Sequence, residues 1–329
     1  MQQELIKSIF SIKNKDEFDS LCITIFGFQA QSNPVYKEYL HHLKIDPLEI
    51  NSVNKIPFLP IDFFKSHQII SKSKSPEKVF FSSGTTGMTR SRHFVTDLSI
   101  YEQSFISGFE KFYGSIKDYR ILALLPNYLE NESSSLVYMA DHLIRLSGHP
   151  ESGFYLNNHN DLVRQLKKLE DAGQKTILLG VSYALLDLAE KSPLKLDHTI
   201  IMETGGMKGR RKELTRSELH SILTSGFGVK SIHSEYGMTE LLSQAYSKGN
   251  GIFYCPSWMK VIIRDTYDPF SFLNEGKSGG INIIDLANIN SCSFIETKDL
   301  GKINPDGSFE VSGRFDNSDI RGCNLLIAQ

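Results

Sequence analysis

Residues 176–203 carry Thr176-Ile-Leu-Leu-Gly-Val181, then a helical stretch from Ala184 to Glu190, then His198-Thr-Ile-Ile-Met-Glu203. Two short apolar runs with a helix between them describe parallel strands buried on both faces. The same pattern extends in both directions. Upstream, Arg120-Ile-Leu-Ala-Leu-Leu-Pro126 is a further buried strand stopped by proline, while Ser99–Tyr113 and Asn160–Ala172 read as helices. Downstream, Lys212–Thr224 is a predicted helix and Val229-Lys-Ser-Ile-His233 a predicted strand. Strands alternating with helices predict an α/β fold, with a mostly parallel sheet covered by helices.

Beyond about residue 250 the pattern turns β-rich. Trp258–Arg264, Gly280–Asp285, Ser293–Thr297 and Ser308–Val311 are short strands separated by turns such as Asn304-Pro-Asp-Gly307, which predicts a second layer or small barrel. The first 50 residues show helical periodicity, with Met1–Phe18 as one amphipathic helix and Tyr36, Tyr39, Leu40 and Leu43 as another apolar set. In Ile56-Pro-Phe-Leu-Pro-Ile-Asp-Phe-Phe-Lys65 the paired prolines exclude a regular helix and favour an extended segment packed by its aromatics. The expected organisation is therefore a helical segment (1–50), an α/β core (51–250), a β-rich subdomain (251–312) and a hinge or tail (313–329), all in one body.

The 329 residues are 40% hydrophobic and 22% charged, an ordinary globular composition able to bury a large core. A net charge of −2 and a pI near 6.6 give no electrostatic case for nucleic acid or an anionic membrane as main partner, so any anion site must be local. Cys22, Cys255, Cys292 and Cys323 are scattered and show no metal-ligand spacing. The N-terminal stretch lacks the apolar core of a secretory leader and no run approaches the roughly 18 apolar residues of a membrane span, so a reduced, cytoplasmic setting is expected.

One loop points to chemistry. Phe80-Phe-Ser-Ser-Gly-Thr-Thr-Gly-Met-Thr-Arg-Ser-Arg-His-Phe-Val95 combines two glycines with four hydroxyl side chains and leaves through basic groups. Gly84 and Gly87 permit close backbone approach to an anion, Ser82, Ser83, Thr85 and Thr86 supply hydroxyls, and Arg90 and Arg92 supply charge. It is not a Walker A loop, since Met88 rather than lysine follows Gly87. By itself the stretch could also be a solvent-exposed turn, the lesser of the two readings. Four further stretches accompany it: Glu203-Thr-Gly-Gly-Met207, Glu235-Tyr-Gly-Met-Thr-Glu240, Thr297-Lys-Asp-Leu-Gly301 and Gly313-Arg-Phe-Asp316.

In order, spacing and identity these five motifs resemble the adenylate-forming superfamily of acyl-CoA synthetases, luciferases and peptide-synthetase adenylation domains. Pro57–Lys65, Ser91-Arg-His-Phe-Val95 and Arg321-Gly-Cys-Asn-Leu-Leu326 look more narrowly like the LuxE acyl-protein synthetases, with phenylacetate-CoA ligases as more distant relatives. The resemblance covers roughly residues 50 to 327. It implies the large N-terminal domain of an adenylate-forming enzyme, using ATP and Mg²⁺ on a carboxylic acid. Ser82 to Thr86 would close over the β- and γ-phosphates, with Gly87 completing the loop and Arg90 where relatives carry lysine. Gly205, Gly206 and Met207 would border adenine and the acyl chain. Tyr236 would pack against adenine beside Gly237, Thr239 would touch the α-phosphate, and Glu240 would hold Mg²⁺. Asp299 would accept from the ribose hydroxyls, and Arg314 would reach the ribose or phosphate. Taken singly, Tyr236 reads as readily as a core aromatic, Glu240 and Asp299 as surface acids, and His233 as a packed histidine or an acyl contact.

The chain also departs from that pattern. The glycine loop ends Gly87-Met-Thr-Arg90 instead of Gly-x-Pro-Lys, and Lys298 replaces a usual glycine beside the ribose acid. The sequence stops at Gln329, so the usual C-terminal lid domain is not expected, and Arg90, Lys298 or Arg321 would replace its lysine. In LuxE-like proteins the acyl group passes to a cysteine near the C-terminus and then to a reductase partner; Cys323 occupies the matching place, with Arg321 able to favour its thiolate. Two alternatives stand beside an acyl-protein synthetase: a phenylacetate-ligase-like enzyme delivering to CoA or a carrier-protein thiol, and a non-catalytic scaffold.

Overall fold

A computed structural model of the chain describes residues 2–71, 75–83, 89–125, 133–156, 158–205 and 214–315. Helices α1 (Gln2–Phe10), α2 (Lys15–Ser32) and α3 (Pro34–His42) lead the fold. The single helix expected over Met1–Phe18 is broken before Lys15, because Asn14 adopts an extended conformation and accepts the Glu17 N–H as the N-cap of α2. Asn33 serves two helices. Its N–H closes α2 on the Gln29 carbonyl, and its side chain accepts from Val35 and Tyr36 at the start of α3.

Strand β1 (Leu59–Pro60) and the one-turn α4 (Phe63–Ser66) follow, with Phe58 and Phe64 buried as the proline-bearing segment predicts. Strands β2 (Lys78–Phe81) and β3 (Arg92–Val95) form an antiparallel hairpin of their own. The α/β run is α5 (Leu98–Tyr113), β4 (Arg120–Leu124), α6 (Ser135–Ser147), β5 (Gly153–Tyr155), α7 (His159–Asp171), β6 (Thr176–Val181), α8 (Ser182–Lys191), β7 (Thr199–Thr204), α9 (Arg216–Phe227) and β8 (His233–Tyr236). It ends in β9 (Ala245–Ser247), β10 (Ile252–Tyr254), β11 (Met259–Arg264), β12 (Ser278–Asp285), β13 (Phe294–Ile303) and β14 (Phe309–Arg314).

The large sheet runs β5-β4-β6-β7-β8-β9-β10-β14-β13-β12-β11, with β1 beside β13. Pairing is parallel from β5 to β8, and every later neighbour along that path is antiparallel. The fold is thus the expected α/β class built on one large mixed sheet. The β-rich region hydrogen-bonds into that sheet instead of forming a layer or barrel of its own, because the short β9 and β10 pair in turn with β8 and β14 and leave no open edge at β8. Every residue of β6 is buried, which is why its sequence is apolar without alternation.

Register separates two acids. Thr204 pairs with Glu235 and Glu235 with Tyr246, so these three share one face; Glu203, Ser234 and Ser247 share the other. On its face, Glu203 meets Arg216 Nη1 at 2.7 Å and His220 Nε2 at 3.6 Å. Burial pushes Glu203 up, but His220, Arg216 and Ser234 outweigh it and hold the carboxyl below its ordinary range. Glu235 accepts the Thr204 hydroxyl and, among the described residues, has no cationic partner. It borders a cavity of about 10 Å³, room for one water, walled by Phe109, Met139, Leu179, Met202 and other apolar side chains. Burial foremost, with a smaller push from Glu203, raises its carboxyl to about 7.

The folded chain therefore keeps a proton on Glu235 where the unfolded chain has lost it. The stabilisation that proton provides is complete below about pH 4.5 and is lost as pH rises through about 7. Glu235→Gln keeps the group neutral and keeps an acceptor for Thr204. It is expected to melt about 2–5 °C above wild type near pH 8, with the gap closing below about pH 5, by scanning calorimetry. Identical melting of the two proteins across that range would remove the assignment of a neutral buried acid.

Candidate functional site

The glycine-rich loop springs from the β2–β3 hairpin. Past the last strand pair, Phe81 with Arg92, the Ser82 N–H donates to the Ser91 carbonyl (3.0 Å) and the Ser91 N–H to Ser82 Oγ (2.9 Å). Ser82 thus closes the neck of the loop as an acceptor while its own hydroxyl proton stays available. Ser83 and Arg90 are exposed at the mouth. Gly84, Thr85, Thr86 and Gly87 lie outside the described residues, as do Gly206, Met207 and Cys323.

Strand β8 begins at His233 and ends at Tyr236, so Glu235 and Tyr236 are strand residues rather than the loop expected after a strand at 229–233. The reason is pairing: β8 finds its partners on β7 and β9 only from His233 onward. Gly237 leaves the strand where a Cβ would meet the Glu235 carboxylate, so a larger residue there would have to displace that side chain. Beyond it, Thr239 is half-buried and Glu240 buried. His93 of β3 places Nδ1 2.8 Å from the Thr239 carbonyl oxygen and Nε2 3.0 Å from Asn288 Oδ1, and the Asn288 amide donates to the Glu240 carbonyl (2.8 Å). Burial raises the Glu240 carboxyl above its ordinary range, with the Ser91 hydroxyl partly opposing it.

The chain after Glu240 is held by one acid. Asp285 Oδ2 accepts the Leu242 and Ser243 N–H groups (2.8 and 3.0 Å), and Oδ1 accepts the Ser243 hydroxyl (2.5 Å). Burial pushes the Asp285 carboxyl up to about 6 even against these donors. The indole N–H of Trp258 lies 3.0 Å from the same Ser243 hydroxyl oxygen.

Asp299, Tyr236 and Arg314 come together although 78 residues separate the outer two in sequence. Strand β13 extends well past the predicted Ser293–Thr297, which puts Asp299 inside the sheet opposite Arg314 of β14. The Tyr236 hydroxyl donates to Asp299 Oδ2 (2.7 Å), and Arg314 Nε stands 3.1 Å from Oδ1. Burial raises the Asp299 carboxyl; Arg314, Tyr236 and Arg264 offset part of that. Arg314 remains 72% exposed, and the Tyr236 ring packs edge-on against Phe253 and Phe309, as a core aromatic does. Lys298 is directed elsewhere. Its ammonium bonds Asp62 at 2.6 Å, and Lys65 bonds the same carboxylate at 2.7 Å, so it is no cation for Asp299.

Gly205 is exposed with φ +69°, a left-handed turn out of β7 that favours glycine. The Ser182 hydroxyl reaches its carbonyl at 2.7 Å, and the Arg216–Glu203 pair ties the start of α9 to the same strand end. His233 is half-buried: its Nδ1 lies 3.2 Å from the Tyr113 hydroxyl, and burial pushes the ring down to about 4. Burial pushes the Cys22, Cys255 and Cys292 thiols up, the last two to about 12, so none of the described thiols is a thiolate nucleophile.

Sequence reading missed His93, Asn288, Asp285 and Asp62 as site-supporting residues. Asp285-Leu-Ala-Asn288 is a polar-apolar-polar turn after a buried strand, a signal that marks a turn but not what the turn holds. Among the described residues no group of three or more His, Cys, Asp or Glu side chains could hold a metal, and no helix is long and apolar enough to cross a membrane.

A family model for the acyl-protein synthetase LuxE matches residues 10–329. No curated protein matches the chain. Among solved structures, ATP-bound MatB from Rhodopseudomonas palustris superposes with a TM-score of 0.54 and 16% identity, covering 72% of this chain and 47% of that one. A 2-hydroxyisobutyryl-CoA ligase in complex with 2-HIB-AMP and CoA gives 0.68 and 13%, covering 92% of this chain and 69% of that one. The chain thus spans about half the length of MatB, and at these identities the likeness is one of fold. With the family model matching nearly its whole length, this chain belongs to the LuxE acyl-protein synthetase family.

Proposed function

We propose that the chain activates a carboxylic acid, fatty or aryl, with ATP and then passes the acyl group to a thiol, its own Cys323. The observation that carries this reading is the buried Asp299 carboxylate, held by the Tyr236 hydroxyl and Arg314 within a member of an acyl-protein synthetase family. Among the described residues each Asp299 oxygen has one hydrogen-bond or ion-pair partner and a lone pair to spare, which suits a ribose diol. Tyr236 orients that acid through its hydroxyl; with its ring packed edge-on against the stacked pair Phe253 and Phe309, we assign it this task in preference to stacking on adenine. Arg314, exposed beyond Asp299, is free to meet the ribose or a phosphate.

The loop from Ser82 to Gly87 would enclose the outer phosphates, with Arg90 at its mouth neutralising charge. Gly205, Gly206 and Met207 would line the acyl and adenine side. Thr239 would donate to the α-phosphate. The buried Glu240 fits Mg²⁺: a hard carboxylate whose ionisation burial disfavours gains most from a cation, and Mg²⁺ typically takes one or two carboxylates with phosphates and water as the rest. The ion would supply charge neutralisation on the phosphates.

The substrate carboxylate oxygen forms a bond to the α-phosphorus as the bond to the β-phosphate oxygen breaks, giving acyl-adenylate and pyrophosphate. The protein's part is alignment and charge compensation. A thiolate then attacks the acyl carbon, forming a thioester as AMP leaves and the thiol proton passes to solvent. A reductase or carrier thiol would take the acyl group onward.

The wild-type chain is expected to catalyse acid-dependent ATP–pyrophosphate exchange with some member of a fatty and aryl acid panel. Glu240→Gln should lower kcat for exchange about 100-fold or more, and Asp299→Asn should raise the KM for ATP about 10–100-fold with a smaller change in kcat. Exchange by Glu240→Gln at the wild-type rate would remove the metal assignment, and absence of both exchange and ATP binding in wild type would favour a scaffold.

Incubation with a radiolabelled acid and ATP should leave a hydroxylamine-sensitive label on the intact wild-type chain and none on Cys323→Ser. Label that survives the substitution would place the thioester elsewhere. Undiminished acyl-CoA formation by the variant would point to the CoA-ligase reading.

A further inference from the structure

The Thr239–Glu240 turn is held from behind by residues that belong to other elements. Thr239 presents its carbonyl to His93 Nδ1, Glu240 presents its carbonyl to the Asn288 amide, and His93 Nε2 adjoins Asn288 Oδ1. His93 is buried on β3, the strand that emerges from the glycine-rich loop, and its ring lies edge-on to Phe64. Asn288, fully buried, has its carbonyl 3.1 Å from the side-chain amide of Gln29 on α2. The neighbouring Ser91 hydroxyl faces the Glu240 carboxyl. The strand that carries the loop and the turn that carries Thr239 and Glu240 are therefore one hydrogen-bonded unit.

Resting on the acid-activation reading above, we propose that His93 is a positioning residue for adenylation, setting the Thr239–Glu240 turn relative to the β2–β3 hairpin either through Thr239 or, by way of Asn288, through Glu240. Neither the ring nor the Asn288 amide touches substrate; each acts through a main-chain carbonyl. The alternative, a histidine that only fills core, does not account for a buried imidazole with both nitrogens aimed at oxygens when a phenyl ring would fill the volume at lower desolvation cost. Burial pushes the ring down to about 4, so it is neutral and carries a single N–H. That proton goes to one of the two oxygens. Asparagine can keep a donor near the Nδ1 position and glutamine near the Nε2 position, so the two amide variants separate the routes.

The test compares ATP–pyrophosphate exchange in wild type, His93→Leu, His93→Asn, His93→Gln and Asn288→Ala, with hydrogen–deuterium exchange of residues 238–243 in each. His93→Leu should lower kcat about 30–100-fold with the KM for ATP within about threefold, since a turn misplaced by a fraction of an ångström costs turnover more than binding. One of the two amide variants should recover at least about tenfold of that loss, and Asn288→Ala, which covers the case in which His93→Leu does not fold, should also lose kcat selectively. Faster deuterium uptake confined to 238–243 should accompany the loss. A kcat for His93→Leu within about threefold of wild type, a loss carried by KM alone, or failure of both amides to restore turnover would overturn the proposal. Absence of exchange in wild type overturns the acid-activation reading instead; deuterium uptake then decides the anchor, and unchanged protection of 238–243 in His93→Leu and Asn288→Ala overturns it.

Discussion

The buried Asp285 carboxylate is the point on which the site geometry depends. It ends β12 in the antiparallel half of the sheet, yet its oxygens take the Leu242 and Ser243 amides and the Ser243 hydroxyl from the connection that leaves β8 in the parallel half. The same turn carries Asn288, which reaches Glu240 and His93. Helix α2 secures the turn in its place, with Gln29 bonding the Asn288 and Ile289 carbonyls and Ser293, and Asn33 bonding the Ser291 carbonyl. With no cationic partner among the described residues, this buried acid is satisfied by the Leu242, Ser243 and Ala287 N–H groups and the Ser243 hydroxyl.

Around that anchor the acids are sorted by what faces them. Glu203 meets Arg216 and His220 and is held low; Glu235 and Asp285 meet neutral donors and are held high; burial also holds Asp299 high, with Arg314 on one oxygen and Tyr236 on the other offsetting part of that. Four carboxyls of the same sheet thus carry different proton affinities, set by desolvation and by the charge of the nearest partner. The acids assigned to nucleotide and metal are the two placed where the β2–β3 hairpin and β13–β14 converge on the end of β8.

Legibility followed the range of the interaction. Ser99–Tyr113, Arg120–Pro126 and Thr176–Val181 are readable because period and burial are properties of a few consecutive residues, and their observed bounds agree closely with the pattern. Strand β8 and the length of β13 were not readable, since both are set by a neighbour's register: β8 pairs only from His233, and β13 continues past Thr297 because β14 and β12 give it partners. Lys298 illustrates the same limit. Adjacent to Asp299 in sequence, it points to Asp62, because neighbouring strand residues face opposite sides of a sheet.

The sequence by itself determined the α/β alternation, the five motifs and the family they mark, all carried by local periodicity or by residue identity at short spacing. Only the tertiary structure decided that the β-rich region joins the same sheet, that the Tyr236 hydroxyl bonds Asp299, that Lys298 pairs with Asp62, and that His93, Asn288 and Asp285 contact the Thr239–Glu240 turn and the chain just after it. Such partners lie tens to hundreds of residues apart. Their meeting is settled by strand order, register and the need to satisfy buried donors and acceptors, none of which leaves a mark in a short window of sequence.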